Sequence, residues 1–244
     1  MGNTYDKKDF FEKYQQKRLD PLSYNEIVEM PEMKRCLPNL KGKTILDIGC
    51  GMGQFINHML KFKPFHITGV EISENMINVC RNNVQSNLVS LYHSDFMTFQ
   101  TEQMYDVIVS SLVFHYIEDF DKCCKKLNTL LNNDGTLLFT MEHPIQTATK
   151  DPNVKQEDEH GVYLRMEHYF GESKRTSTWL DTNVSKYHHT ISTIFNALIF
   201  NGFEIEYVQD LGQSKEVFEN YDENRIHILK QYPPFILIKA KKKM

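Results

Sequence analysis

Lys43–Ile48 (KTILDI) is a short apolar stretch that runs straight into Gly49-Cys50-Gly51-Met52-Gly53. Beyond the glycines, FINHMLKF places Phe55, Ile56, Met59, Leu60 and Phe62 at helical spacing. A strand that turns through closely spaced glycines into a helix opens an α/β sheet, and few other folds accept it. Glycine lets a backbone turn tightly and lets a ligand approach where a Cβ would stand. It does so here at a helix N-terminus, whose free N–H groups face the ligand. The loop reads Asp47-x-Gly49-x-Gly51-x-Gly53. The dinucleotide fingerprint G-x-G-x-x-G needs its third glycine at position 54, where Gln54 stands, so that pattern fails.

The alternation repeats. His66–Glu71 (HITGVE) predicts a second strand, and Ser73 followed by Met76, Ile77, Val79 and Cys80 predicts a capped helix. Leu88–His93 predicts a third strand and Tyr105–Ser110 (YDVIVS) a fourth, whose apolar run places it centrally. Phe120–Leu131 follows as a helix closed by the turn cluster Asn132-Asn133-Asp134-Gly135, and Thr136–Glu142 (TLLFTME) is a fifth strand. Strands separated by helical stretches mean βαβ units and a parallel sheet. Ahead of them, Asp9–Arg18 predicts an amphipathic helix carrying Phe10, Phe11 and Tyr14, and Ser23–Arg35 a second, interrupted at Pro31.

From His143 to about Thr182 the pattern breaks. Asp151-Pro152-Asn153 and QEDEHG predict loop, while Tyr163–Phe170 and Lys174–Leu180 predict a hairpin across Gly171-Glu172-Ser173. Val184–Phe200 then predicts a long helix stopped at Asn201-Gly202. Phe203–Val208 and Pro234–Ala240 predict two last strands.

Composition narrows the class of protein. At 244 residues, 41% hydrophobic and 25% charged, the chain can bury one sizeable core, which excludes disorder, collagen and coiled coil. A net charge of −4 offers no overall basic field, so no nucleic-acid partner is expected. The five cysteines include no C-x-x-C pair, and the neighbours Cys123 and Cys124 suit no disulfide framework. Reduced thiols in the cytoplasm are the expectation. The polar N-terminus lacks the apolar core of a signal peptide. No run approaches the ~18 apolar residues of a membrane span, so no membrane partner is expected. The ten histidines include no H-x-x-x-H, so no metal is expected either.

ILDIGCGMG resembles the first motif of class I S-adenosylmethionine-dependent methyltransferases. Glu71 stands where that family places the carboxylate that binds both ribose hydroxyls, with Ile72 and Met76 following it. Asp95-Phe96 follows the third strand, where family members hold the adenine amino group and line the ring. YDVIVSSLVFHYIED resembles the fourth-strand motif of the small-molecule branch, and LLNNDGTLLFTMEHP the segment running into strand five. FFEKY, LPNLKGK, EHPIQTA and VSKYHHTISTIFNALIFNGFEIE extend the resemblance over roughly residues 9–240. Cys50 beside Met52 is a departure, since acidic or small residues are common there.

The resemblance implies a Rossmann-like, seven-stranded class I methyltransferase sheet. Helices cover both faces, the last strand is antiparallel, and an insertion serves as lid. It implies one domain: a helical cap over 1–40, a cofactor-binding half over 41–142, the lid over 143–182, and a last helix and strands over 183–244. The implied cofactor is S-adenosyl-L-methionine, held by Gly49, Cys50, Gly51, Gly53, Glu71, Ile72, Met76, Asp95, Phe96, Ser111 and Leu112. Tyr14 would close over the methionine carboxylate. Methyl transfer from a sulfonium is an in-line displacement that needs alignment, dryness and a base only if the acceptor must lose a proton. His143 after strand five and His115 after strand four are the candidate bases, because open α/β sheets hold ligands at the carboxyl ends of their strands. Tyr187-His188 is a further candidate. A small-molecule acceptor is expected under Phe10, Phe11, Tyr14, Tyr163, Tyr169 and Trp179, and a homodimer through the insertion is an expectation. No N/D-P-P-Y motif or catalytic Pro-Cys pair is present. A non-catalytic cofactor-binding relative, as sensor or subunit, and a tRNA-modifying enzyme stay open as alternatives.

Overall fold

The central sheet forms because strand residues alternate between two apolar cores. The computed structural model describes residues 4–149, 155–158, 161–164 and 166–243. The chain opens with a 3-10 turn (Thr4–Asp6), helix α1 (Lys8–Leu19), a π-helical turn (Asn25–Glu29) and α2 (Met30–Cys36). The alternating half follows: β1 (Thr44–Ile48), α3 (Gln54–Leu60), β2 (His66–Glu71), α4 (Glu74–Asn83) and β3 (Val89–His93). It continues through β4 (Tyr105–Ser111), α5 (Phe120–Leu130) and β5 (Leu131–Glu142). After β5 come α6 (Pro144–Thr147), β6 (Lys155–Asp158), β7 (Gly161–Leu164), β8 (Lys174–Trp179), β9 (Thr182–Tyr187) and α7 (Ile191–Phe200). The chain ends with β10 (Phe203–Leu211), α8 (Lys215–Asn220), α9 (Glu223–Gln231) and β11 (Phe235–Lys242).

The seven-stranded sheet has the order β10-β11-β5-β4-β1-β2-β3. The five strands from β1 to β5 run parallel, while β11 is antiparallel to both β5 and β10. Successive side chains point to opposite faces. Leu46, Ile48, Ile108 and Phe139 therefore pack with Leu127 of α5 and Ile194 of α7, while Ile45, Val107, Val109 and Leu138 pack with Met33, Ile56 and Ile77. Helices thus cover both faces, as the resemblance implies. Strand order reverses beside β1, which opens a crevice at the carboxyl ends of β1 and β4.

The insertion differs from its sequence reading. β8 pairs with β9 across Leu180-Asp181, not with the segment starting at Tyr163. Leu180 and Asp181 have φ of 49° and 59°, the doubly left-handed turn that matches strand twist. β7 pairs instead with β6, inside the stretch read as loop. The long helix starts at Ile191, where the Thr190 hydroxyl accepts the Thr193 N–H at 3.1 Å, because the preceding residues belong to β9. Asn132–Gly135 does not separate α5 from β5. The register jumps from Tyr105↔Leu131 to Val107↔Thr136, so the four residues form a bulge within β5. The short helices α8 and α9 were not foreseen. The loop expected at 151–153 lies outside the described residues.

Candidate functional site

The glycine loop turns from β1 into α3 with Gly49, Gly51 and Gly53 all at positive φ. At Gly49, where φ is +70°, an added Cβ would stand 2.2 Å from Val113 Cγ2, so only glycine fits. Gly53, at φ +86°, caps α3. The Gly51 N–H donates to Glu71 Oε2 at 3.0 Å, and the Ser73 N–H donates to Oε1 at 2.9 Å. Glu71 is buried, and burial raises its pKa against the pull of these bonds. The loop and the carboxylate at the end of β2 are therefore one unit.

Asp47 is the penultimate residue of β1, just ahead of the loop. It is 2% exposed, and its Oδ2 has no hydrogen-bond partner among the described residues. Burial, with Glu71 nearby, pushes its pKa up to about 8. A buried orphan acceptor at the mouth of a cleft calls for a cationic or N–H-bearing ligand. Sequence reasoning named Asp47 only as part of the loop motif.

A cavity of about 570 Å³ opens from this loop toward the ends of β4 and β5. Asp47, Gly49, Cys50, Gly51, Ser111 and Leu112 form its floor. Tyr14 stands on the opposite wall with Tyr5 and Trp179. Tyr5 packs edge-on against Tyr14 at 5.1 Å and hydrogen-bonds Tyr116 through its hydroxyl at 2.8 Å. Trp179, at the tip of the β8–β9 hairpin, meets Phe10 and Tyr14 at 5.6 and 5.7 Å. Asp6 accepts from the Ser73 hydroxyl at 2.7 Å, which fastens the chain start to α4. The N-terminal cap and the hairpin thus meet over the cavity, and the Lys13–Asp181 ion pair at 2.7 Å joins them at the surface. Tyr5 was missed because a lone tyrosine near a chain start carries no sequence pattern.

Gly53, Glu71 and the remaining cofactor candidates do not line the cavity. Met76 is buried behind the loop, with its N–H on the Ser73 hydroxyl. Ile72 is 47% exposed, and His93 Nε2 bonds its carbonyl. Asp95 is exposed and its Oδ1 accepts the Met97 N–H at 2.8 Å, while Phe96 is buried with Lys126 over its ring. Ile72 and Met76 follow the β2 end, and Asp95 and Phe96 follow the β3 end.

The two candidate bases part company. His115 lines the cavity, is 2% exposed, and has its pKa pushed down to about 4 by burial. Its Nδ1 accepts the Glu142 N–H at 3.2 Å. His143 is not on the cavity wall. Its Nδ1 accepts the Ile145 N–H at 3.1 Å as the cap of α6, and its Nε2 donates to Asp210 at 3.0 Å. The β5 end turns this ring toward β10, so its two nitrogens are spent on structure. Tyr187 and His188 do not line the cavity either; His188 is buried between Thr147 and the Tyr169 carbonyl. Of the aromatics expected around an acceptor, Tyr14 and Trp179 line the cavity, while Phe10, Phe11, Tyr163 and Tyr169 do not.

Two carboxylates stand near the cavity instead, half-buried Glu142 on its wall and Glu29 behind Ser111. Glu142 pairs with Lys186 of β9 at 2.5 Å, and Lys186 holds the Glu142 pKa below the usual carboxylate range. Glu29, in the π-helical turn, is fully buried and accepts from Ser111, Thr140 and Asn25. Neither was foreseen. A lone acidic residue inside the apolar run IVEM was the only signal for Glu29. Among the described residues no group of three His, Cys, Asp or Glu could hold a metal. No helix among them is long and apolar enough to cross a membrane.

Fold, glycine loop and β2 carboxylate together define a class I methyltransferase. The family of the methyltransferase domain matches residues 39–191, and the chain belongs to it. An uncharacterized protein of Haemophilus influenzae is 37% identical over 98% of this chain and 97% of its own length. The crystal structure of a candidate S-adenosylmethionine-dependent methyltransferase from Listeria monocytogenes superposes with a TM-score of 0.80 at 33% identity, over 88% of this chain and 96% of that one. Malonyl-[acyl-carrier protein] O-methyltransferase of Bacillus anthracis is 30% identical over 46% of each chain, so the match takes in about half of that enzyme. The protein is an S-adenosylmethionine-dependent methyltransferase.

Proposed function

We propose that this enzyme methylates a small molecule held in the cavity between the glycine loop and the aromatic wall. The observation that carries the reading is the cavity itself. At about 570 Å³ it falls within the ~300–1,000 Å³ of small-molecule sites, and it joins the cofactor loop to a wall of Tyr5, Tyr14, Tyr116 and Trp179. Lys17, Arg18, Glu142 and Lys186 line the same cavity, so an acceptor would meet charged anchors as well as aromatic rings.

The cofactor fits the residues present. Glu71 would hold the ribose hydroxyls, Asp95 and Phe96 with Ile72 the adenine, and Tyr14 the methionine carboxylate. Asp47 would take the cofactor's ammonium, which satisfies its orphan oxygen. Met76, Cys50 and the glycines shape the cradle. Bound there, S-adenosylmethionine supplies an activated methyl group. The chain's own contribution is alignment and exclusion of water: the cap and hairpin cover the cavity, and the floor residues Ser111 and Leu112 set the approach. His115 serves as a hydrogen-bond donor toward the acceptor, because its Nδ1 is already an acceptor and the ring is neutral.

The test is release of S-adenosylhomocysteine from S-adenosylmethionine with a protein-free metabolite extract. Turnover that saturates with a small-molecule fraction is expected. Tight cofactor binding without turnover in any extract would make the chain a non-catalytic binder, and turnover only with a tRNA pool would move the acceptor to nucleic acid.

A further inference from the structure

We propose that Ser111 is the group that takes the acceptor's proton and that Glu29 receives it through Ser111, so the acceptor is a proton-bearing nucleophile, a hydroxyl or an amine. The inference rests on reading the cavity as the acceptor site.

The geometry begins at the floor. Ser111 lines the cavity and its hydroxyl donates to Glu29 Oε1 at 2.6 Å. A hydroxyl has one proton and two lone pairs. With the proton committed to Glu29, Ser111 offers the cavity only acceptor capacity, which matches a ligand O–H or N–H. An acceptor that is already an anion would gain nothing there.

Glu29 is built to receive a proton. It is fully buried, and Thr140 Oγ1 donates to the same Oε1, while Asn25 Nδ2 donates to Oε2 at 3.0 Å. Three donors aimed at one carboxylate hold it ionised in the resting enzyme. Burial raises its affinity for a proton above that of a carboxylate in water. The titratable groups that face it are Arg18 and Tyr14, both on α1. Arg18 favours the ionised form, and Tyr14 is itself held protonated by burial.

Two backbone features converge on this pair. Glu29 closes the π-helical turn Asn25–Glu29, a wide turn that recurs at functional sites. Leu112, the residue after Ser111, has φ of +55° without being glycine. Its N–H is held by the Thr140 carbonyl and hydroxyl at 3.1 and 3.2 Å. Strain of this kind persists only where the surroundings impose it, and it clusters at reactive centres. The Thr140 that pins Leu112 is the Thr140 that bonds Glu29.

In the step, the heteroatom's lone pair forms the new bond to carbon while the carbon–sulfur pair returns to sulfur. The heteroatom's proton passes to Ser111 Oγ as the Ser111 hydroxyl proton passes to Glu29 Oε1. Glu29 ends protonated and later releases the proton to water when the cavity opens.

The experiment has two arms. In the first, Glu side-chain carboxyls are labelled with carbon-13 in the S-adenosylhomocysteine-bound protein, and Glu29 is titrated by NMR. A midpoint above the ordinary ~4.3 is expected, rising further in Ser111→Ala because a bond to the charged form is lost. In the second, the pH profile of S-adenosylhomocysteine release with the metabolite extract is measured for wild type, Glu29→Gln and Ser111→Ala. Wild type should rise with pH through the Glu29 midpoint. Both variants should lose that limb and about 10²-fold in kcat with the unfolding transition retained, and Glu29→Gln should keep its cofactor affinity. A Glu29 midpoint at or below the ordinary value, or an unchanged pH limb in folded Glu29→Gln, overturns the proposal. If wild type turns over nothing in the extract, the small-molecule reading fails, and the NMR titration alone decides whether Glu29 is coupled to Ser111.

Discussion

The Glu142 backbone N–H donates to His115 Nδ1 at 3.2 Å, which places the ring proton on Nε2 and makes the cavity-facing imidazole a donor. Because burial pushes the His115 pKa down to about 4, the folded protein keeps the ring neutral where the unfolded chain would protonate it. The unfolded state binds the extra proton, so stability is complete above about pH 6.5 and declines as pH falls toward 4. The shift corresponds to roughly 3 kcal/mol. Denaturant unfolding at pH 4.5 and 7 should show a smaller pH difference in His115→Gln than in wild type; equal differences would refute the buried neutral ring.

On the proposed ribose role of Glu71, Glu71→Ala should weaken S-adenosylmethionine by about 1.5–3 kcal/mol, since two charge-assisted hydrogen bonds would be lost and the Gly51 N–H would lose its acceptor. Calorimetry measures it directly. Binding within threefold of wild type would take the ribose role away from Glu71.

Asp47→Asn should act in opposite directions on stability and binding. With a folded pKa near 8, Asp47 stays protonated on folding, and the stability tied to that proton is lost as pH rises from about 4 to 8. The amide carries no such loss, so the ligand-free variant should melt at a higher temperature than wild type at pH 8. On the proposed ammonium role of Asp47, its cofactor affinity should fall about tenfold or more, because the ammonium would lose its partner. A variant that melts lower and binds equally well would contradict both expectations.

His143→Ala should leave turnover within about twofold of wild type and cost about 1 kcal/mol of stability through the lost cap of α6. Thermal melting and extract turnover together read this out. A hundredfold loss of turnover with normal cofactor binding would return His143 to the chemistry.

The half of the chain before Glu142 was legible because its signals are local. Short apolar strands such as Thr44–Ile48 and His66–Glu71 are bounded by glycines or caps, and each stop lies within a few residues of its strand. The β8–β9 hairpin was not legible, since Leu180-Asp181 is left-handed without the Asn-Gly or Asp-Gly pair that announces such a turn. α8 and α9 bury little beyond Val217 and Leu229, so no stripe marks them. In the site, the glycine loop and Glu71 could be read as neighbours through their motif. Glu142 with Lys186, and Glu29 with Ser111, meet only after the sheet has formed, and no spacing in the sequence relates them.

The Glu142–Lys186 pair sits where the insertion leaves the sheet and where it returns. Between them the described residues also reach the core fold through α6, through the bonds of Tyr169 and Glu172 to the start of α7, and through the hairpin tip beside α1. None of these ties involves the glycine loop between β1 and α3. On the proposed acceptor site, Ser177, Thr178 and Trp179 of the insertion face the cavity from one side and the glycine loop faces it from the other, so variants that alter acceptor choice alone should map between Glu142 and Lys186.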